Sequence, residues 1–156
     1  MKSLALALLI AATAVAAHPL SVRAADSHQH GHDAPAAKLQ LDHGKKWKTD
    51  EPLRRGMNSI REIVHGAPAP LHKGTAKPSA YAEVGARIEA EVGRIVKECK
   101  LAPEADAQLH IVVAEVIAGA DAMKSAKDAK AGRAGLVKVD VALQAYGKHF
   151  DHPGWK

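Results

Sequence analysis

Ten histidines, three methionines and a single cysteine give this 156-residue chain a large number of side chains that bind metals. Imidazole, thioether and thiolate suit copper, nickel, zinc and iron better than they suit magnesium or calcium. Three of the histidines, His28, His30 and His32, alternate with other polar residues or glycine. Such a segment can place several imidazoles around one Cu(II), Ni(II) or Zn(II) ion without a fold. We therefore expect metal binding there, and the alternative is a polar leader with only adventitious metal affinity.

Motifs for catalysis are missing from the sequence. It contains no Gly-x-Ser-x-Gly or His-Glu-x-x-His motif, and it lacks the two Glu-x-x-His motifs of a di-iron bundle. The single cysteine excludes an intramolecular disulfide and a zinc site built from several cysteines. Aromatic residues make up only 3% of the chain, too few for a surface that stacks single-stranded nucleic acid. We expect a protein that is not an enzyme and does not bind nucleic acid.

The first 24 residues have the pattern of a secretory signal peptide. Lys2 supplies a positive charge, and an apolar run follows from Leu4 to Ala17. This run is shorter than the roughly 20 residues that a helix needs to span a bilayer. Cleavage after Ala24 is favoured, although cleavage after Ala17 satisfies the same small-residue rule. Because no later segment is apolar enough to span, we expect a bacterial protein that is periplasmic or secreted, without a membrane span.

Export changes the interpretation of the basic net charge. Loss of Lys2 and Arg23 with the signal peptide lowers the formal charge from +5 for the whole chain to +3. A basic exported protein meets anionic lipids or an acidic protein partner rather than nucleic acid. The basic residues are densest at Lys124, Lys127, Lys130 and Arg133. The alternative for this run is a solvated connection between helices.

Apolar residues recur at helical spacing in four segments after residue 48. The first segment begins at Thr49 and ends at Gly66, and the second begins near Pro78. The third begins at Pro103, and the fourth runs from about Ala134 to Phe150. Their apolar stripes are Leu53, Met57, Ile60 and Val64; Tyr81, Val84, Ile88, Val92, Ile95 and Cys99; Leu109, Val113, Val116, Ala120 and Met123; and Leu136, Val139, Leu143, Tyr146 and Phe150.

The spacing within these stripes averages near 3.5 residues, which is the period of left-handed helix bundles. The connections are short apart from the proline-rich one after Gly66. We therefore predict an all-α protein, an up-down-up-down four-helix bundle over residues 49–156. A signal peptide (1–24) and a flexible, histidine-rich leader (25–48) precede it.

The predicted topology decides which side chains meet. The start of the first helix lies beside the end of the second, the start of the third and the end of the fourth. One candidate metal ligand from each helix falls at this end: Met57, Cys99, His110 and His149. This donor set suits Cu(I). The alternative is that Met57 and Cys99 are packed core and the two histidines are surface residues.

Two of these residues carry a resemblance to a known family. The segments Leu53–Ile60, which contains Met57, and Ala145–Phe150, which contains His149, resemble cytochrome b562, an exported four-helix bundle. The resemblance implies haem b with Met57 and His149 as axial ligands. It departs in that His149 lies three residues after Tyr146, whereas the family's histidine directly follows the tyrosine-like position. The chain is also similar to short exported proteobacterial proteins labelled DnrO, a label that implies no settled activity.

Two functions follow from these patterns. The first is a periplasmic bundle that binds copper or haem, for metal handling or electron transfer. The second is a structural or stress-response bundle that binds a protein partner and no metal. Gly56 and Gly147, beside the two expected haem ligands, either open room for a planar haem or let helices pack closely.

Overall fold

A computed structural model describes residues 38–156 of the chain. The signal peptide and His28, His30 and His32 lie outside the described residues. Within residues 38–156 the protein is mostly helical, which confirms the all-α class. The elements are β1 (Trp47–Lys48), α1 (Glu51–His65), α2 (Ala69–Lys73), α3 (Pro78–Glu98), α4 (Pro103–Lys124), α5 (Ala129–His149) and β2 (Phe150–Asp151). None of these helices is long and apolar enough to cross a bilayer.

Aspartate side chains cap the N-termini of two helices. The Asp50 carboxylate accepts a hydrogen bond from the Leu53 backbone N–H at 2.9 Å, at the predicted start of α1. Asp128 caps α5 in the same way through the Ala131 N–H at 2.8 Å. Helix α5 therefore begins at Ala129, five residues before the predicted start, because the capping aspartate lies ahead of the apolar stripe.

The connection after α1 contains a short helix that the sequence pattern did not predict. Helix α2 ends at Gly74, whose φ of +72° lies in the left-handed region that glycine adopts without strain. Its Leu71 side chain is buried, and the Tyr81 hydroxyl donates a hydrogen bond to the Leu71 carbonyl at 2.8 Å. This contact attaches α2 to the start of α3.

The predicted apolar stripes form the hydrophobic core. Met57, Ile88, Val116 and Val139, one from each long helix, are completely buried. Of the stripe residues only Cys99 is outside the buried set, and it packs against the core from its edge. The helical spacing of apolar residues therefore located the core correctly.

Helices α4 and α5 pack closely against each other at two glycines. A Cβ atom on Gly119 would lie 2.6 Å from the Val139 side chain and 2.9 Å from the Gly135 carbonyl oxygen. A Cβ atom on Gly135 would lie 2.7 Å from the Gly119 carbonyl oxygen. Backbone atoms cannot move aside as a flexible side chain can, so this approach requires glycine at both positions.

Four segments meet at one end of the helices, which we call the mouth. Strand β1 precedes α1 and pairs in parallel with β2, which follows α5, in the register Trp47 with Phe150. The Lys100 backbone N–H donates to the second Asp50 carboxylate oxygen at 2.6 Å, which links the start of α1 to the connection between α3 and α4. The mouth thus contains the starts of α1 and α4 and the ends of α3 and α5.

Residues 38–48, which the sequence pattern assigns to the leader, pack against the mouth. The Gln40 backbone N–H donates to the Gln108 side chain at 2.7 Å, and the Trp47 indole N–H donates to the Gln40 carbonyl at 2.6 Å. The Lys46 ammonium donates to the Gly147 carbonyl at 2.6 Å. Residues 38–48 therefore belong to the same compact unit as the helices.

Candidate functional site

The four predicted bundle ligands occupy different environments at or near the mouth. Met57 is completely buried in the core, Cys99 and His149 are half-buried, and His110 is exposed. Among residues 38–156, no group of three or more His, Cys, Asp or Glu side chains could hold a metal ion. The structure therefore does not bring Cys99, His110 and His149 together as three ligands of one ion.

Two of the four share a groove between α3 and α4, which we call the α3/α4 groove. It has a volume of about 240 Å³ and is lined by Ile95, Val96, Cys99, Asp106, Leu109, His110 and Val113. Of these residues Ile95, Leu109 and Val113 are buried, whereas Val96 and His110 are exposed. Cys99 and His110 thus line a common cavity.

The Cys99 thiol is neutral at ordinary pH. Burial raises its pKa to about 12, and the nearby Asp50 carboxylate adds to the increase because it disfavours a second negative charge. A thiol in this state is a poor nucleophile. A metal ion would have to displace the thiol proton before it could bind the sulfur.

His110 and His149 have the same local geometry. In each, the Nδ1 atom lies 2.8 Å from the carbonyl oxygen four residues earlier, that of Asp106 for His110 and that of Ala145 for His149. A carbonyl oxygen only accepts hydrogen bonds, so Nδ1 carries the proton in both rings. In this tautomer the Nε2 atom carries the lone pair that can bind a metal ion. His110 is the more accessible of the two, because 72% of its side chain is exposed.

The two glycines beside the expected haem ligands are packed. A Cβ atom on Gly56 would overlap the Ile95 side chain, and one on Gly147 would overlap the Trp155 indole. Both glycines thus allow close packing of neighbouring side chains. The room for a planar haem that the sequence suggested beside them is filled by Ile95 and Trp155.

A buried histidine near the C-terminus was not predicted as an important residue. The side chains of Tyr146, Phe150, His152 and Trp155 pack together, and we call them the aromatic cluster. His152 is 7% exposed, and its Nδ1 atom lies 3.0 Å from the Tyr146 hydroxyl. The Trp155 ring lies 4.8 Å from that of Tyr146 and 4.9 Å from that of His152, and the Arg61 guanidinium lies 4.5 Å above it.

Burial lowers the pKa of His152, and the positive charges of Arg54 and Arg61 lower it further. Burial also raises the pKa of Tyr146, so the phenol stays protonated. The pair is therefore neutral and joins the segment after α5 to the core. Its signal in the sequence was the concentration of aromatic residues between positions 146 and 155, since three of the five aromatics of the chain lie there.

The basic run between α4 and α5 is only partly engaged. The Lys124 ammonium binds the Glu89 carboxylate at 2.6 Å, and the Arg133 Nε–H donates to the His72 carbonyl at 2.6 Å. Lys127 and Lys130 are exposed and are in none of the ion pairs among residues 38–156. This run lies at the end of the molecule opposite the mouth.

No known protein family, characterised protein or solved structure matches this chain. The assignment of a function therefore depends on the chemistry of individual residues. The residues that bear on it most directly are the two histidines with a free Nε2 atom, His110 and His149, and the histidines at positions 28, 30 and 32.

Proposed function

We propose that this protein is an exported helical bundle that binds transition-metal ions through imidazole and takes part in metal handling, without being an enzyme. The signal-peptide pattern of residues 1–24 supports export to the bacterial periplasm or beyond. The contacts at the mouth support an up-down-up-down order of α1, α3, α4 and α5, because helix starts and ends alternate there.

The observation that carries this proposal is the geometry of His110. Its Nδ1 atom lies 2.8 Å from the Asp106 carbonyl oxygen, and its exposed side chain lines the α3/α4 groove. A ring held in this way is oriented for metal binding through Nε2. The histidines at positions 28, 30 and 32 add further imidazoles, and copper, nickel and zinc all accept this donor.

Metal binding through surface histidines has stronger support than a Cu(I) site that includes Met57 and Cys99. The thioether of Met57 is completely buried, and the pKa of the Cys99 thiol is raised to about 12. A soft-metal site would need the core to open and the thiol to lose its proton. Histidine nitrogens at the surface need neither change.

Haem b, with electron transfer as its function, has less support than a bound metal ion. Ligation by Met57 and His149 would require Ile95 and Trp155 to leave the spaces beside Gly56 and Gly147. It would also require Met57 to move out of the core, where it is 0% exposed. Haem therefore stays the second cofactor candidate.

A second candidate function is binding of a protein partner without any metal. Val137 and Val141 on α5 are 44% and 56% exposed, and they flank the buried Val139 at two residues on either side. This spacing places them on the face of α5 that points away from the core. With the exposed Lys127 and Lys130, this outer face fits an acidic protein partner that also has apolar residues.

The test is the metal content and visible spectrum of the protein purified from the periplasm without an affinity tag. We expect near-stoichiometric copper, zinc or nickel and no Soret band. Deletion of residues 26–33 should remove one class of sites without changing the melting temperature. Affinity should fall between about pH 7 and pH 5.5, because a protonated imidazole cannot bind a metal.

Three other results would each support a different function or ligand. A Soret band that disappears in Met57→Leu and His149→Gln would replace the metal ion by haem. Loss of metal in Cys99→Ser would favour the soft-metal site. A colourless, metal-free protein that binds no added metal would reject all three and leave the partner-binding function.

A further inference from the structure

We propose that the end of the molecule opposite the mouth, which we call the basic end, binds the surface of an anionic lipid membrane. This inference does not depend on metal binding. It rests on where the fold places two segments that are far apart in the sequence, residues 66–82 and residues 122–139. The first contains α2 and the start of α3, and the second contains the start of α5.

These two segments are held together by specific contacts. The Arg133 Nε–H donates to the His72 carbonyl at 2.6 Å, and the Arg133 side chain packs over Gly74. The Tyr81 ring lies directly against Gly132, where a Cβ atom would overlap it. Lys73 of α2, Lys77 just before α3 and Lys130 of α5 therefore share one end of the protein.

The charge of these two segments is one-sided, although Asp121 and Asp140 directly flank the second segment, where they pair with Lys124 and His65. Residues 66–82 contain two lysines and no acidic residue, and residues 122–139 contain five basic residues and Asp128 as the one acid. The Asp128 carboxylate is engaged as the N-cap of α5. Lys124 and Lys138 are paired with Glu89 and Glu115.

Five cations of the basic end remain after these pairs are counted: Lys73, Lys77, Lys127, Lys130 and Arg133. All five are exposed, and none is in an ion pair with another of residues 38–156. The N-termini of α3 and α5 lie at the same end as the C-termini of α1 and α4, so the helix dipoles add no net positive charge there. The mouth, by contrast, mixes lysines with Asp42, Asp50, Glu104 and Asp151.

The spread of these cations favours a membrane over an acidic protein. They come from α2, from α5 and from the connections before α3 and α5. Cations spread in this way suit a broad surface of negative charge better than a shaped ligand. Each lysine or arginine near an anionic bilayer contributes additively to binding, and the attraction falls off within a Debye length. Binding through exposed lysines, without an inserted apolar residue, is then reversible and sensitive to salt.

The experiment is sedimentation of the exported protein with vesicles at pH 7.5. Mass spectrometry first checks that the signal peptide has been removed. Vesicles contain phosphatidylcholine with 0, 20 or 40% phosphatidylglycerol. We expect binding to rise with phosphatidylglycerol and to fall at least tenfold between about 50 and 300 mM salt. No binding to 40% phosphatidylglycerol at 50 mM salt would overturn the proposal.

Matched charge reversals separate the basic end from net charge. The double variant Lys127→Glu/Lys130→Glu should bind at least tenfold more weakly than the parent. The control Lys45→Glu/Lys148→Glu makes the same change in charge at two exposed residues of the mouth and should change binding less than threefold. Equal losses in the two variants would overturn the assignment to the basic end. Circular dichroism and melting temperature check that both variants fold.

A soluble polyanion distinguishes the other source of negative charge. Poly-glutamate at the same salt concentration should bind more weakly than vesicles with 40% phosphatidylglycerol. If poly-glutamate binds through Lys127 and Lys130 and the vesicles do not, an acidic protein partner replaces the membrane.

Discussion

At the scale of single residues, burial changes the protonation of two side chains near the mouth. Cys99 and His152 both lie where water is partly excluded, so the neutral form of each is favoured. The Cys99 thiol therefore stays protonated to high pH, and the His152 imidazole takes up a proton only at a lower pH than an ordinary histidine. Both effects can be measured without knowledge of the protein's ligand.

We expect the Cys99 thiol to react slowly with iodoacetamide. Its pKa is raised to about 12, so the thiolate is a minor species at pH 8, and the alkylation rate should keep rising with pH beyond 10. The measurement is alkylation followed by mass spectrometry from pH 7 to 11, with free cysteine as the reference. A rate that levels off near pH 9 would contradict the burial of this thiol beside Asp50.

His152 should make the folded protein sensitive to mild acid. Its pKa in the folded protein is below the ordinary value of 6.5, so the unfolded chain takes up the proton first as the pH falls. The stability that it contributes is complete above about pH 6.5 and is lost as the pH falls through the folded pKa. The free energy of unfolding in urea should therefore be lower at pH 5 than at pH 7.5.

The variant His152→Gln isolates this contribution. It should be less stable than the parent at pH 7.5 and should show a smaller loss between pH 7.5 and pH 5. His72→Gln changes an exposed histidine and is the control, with a pH dependence close to that of the parent. The same loss of stability with pH in the parent and in His152→Gln would exclude His152 as its source.

At the scale of secondary structure, glycines decide how closely the helices pack. Gly119 and Gly135 bring the backbones of α4 and α5 together, whereas a Cβ atom on Gly93 of α3 would meet no atom within 4 Å. A substitution of glycine by alanine thus meets crowded surroundings at Gly119 and open space at Gly93, although both glycines are in long helices.

We expect Gly119→Ala to destabilise the protein by about 1–3 kcal/mol, because its Cβ atom would collide with Val139 and the Gly135 carbonyl. Gly93→Ala should stabilise it by about 0.5–1 kcal/mol, since alanine is the better helix former and the site is open. Urea unfolding of the two variants gives both values. A stabilising Gly119→Ala would show that α4 and α5 do not approach this closely.

At the scale of the whole molecule, two short segments close the mouth. Residues 38–48 and the segment after α5 pair as β1 and β2, and the Thr49 hydroxyl donates to the Asp151 carbonyl at 2.5 Å. Trp47 of β1 is partly buried and packs against the hydrophobic core. The ends of the described chain therefore contribute to stability, although they lie outside the helices.

A chain that begins at Lys38 should fold with the stability of the exported protein. A chain that begins at Thr49 should keep its helical circular dichroism but lose about 1–3 kcal/mol, mainly through the loss of Trp47. Trp47→Ala in the longer chain is the control and should account for most of that difference. Equal stability of the chains from Lys38 and Thr49 would show that the packed segment is dispensable.

The sequence by itself determined the class of the fold, the core and most of the helix starts. These follow from local causes: apolar residues at the helical period, such as Ile88 and Val92, and capping residues such as Asp50. The sequence pattern placed the start of α5 five residues too far along the chain and did not predict α2. Both errors have a local cause as well. The apolar pattern is weak there, and the Asp128 cap and the Gly74 turn mark these boundaries instead.

The tertiary structure decided the surroundings of the candidate ligands. The apolar spacing near 3.5 residues placed Met57 on the apolar stripe of α1. Only the packing shows that its side chain is completely buried and that Ile95 fills the space beside Gly56. Whether His110 shares a groove with Cys99, and whether His152 is buried, depends on the rotation of helices and on a turn after α5. Contacts between residues far apart in the chain set both, and no local pattern encodes them.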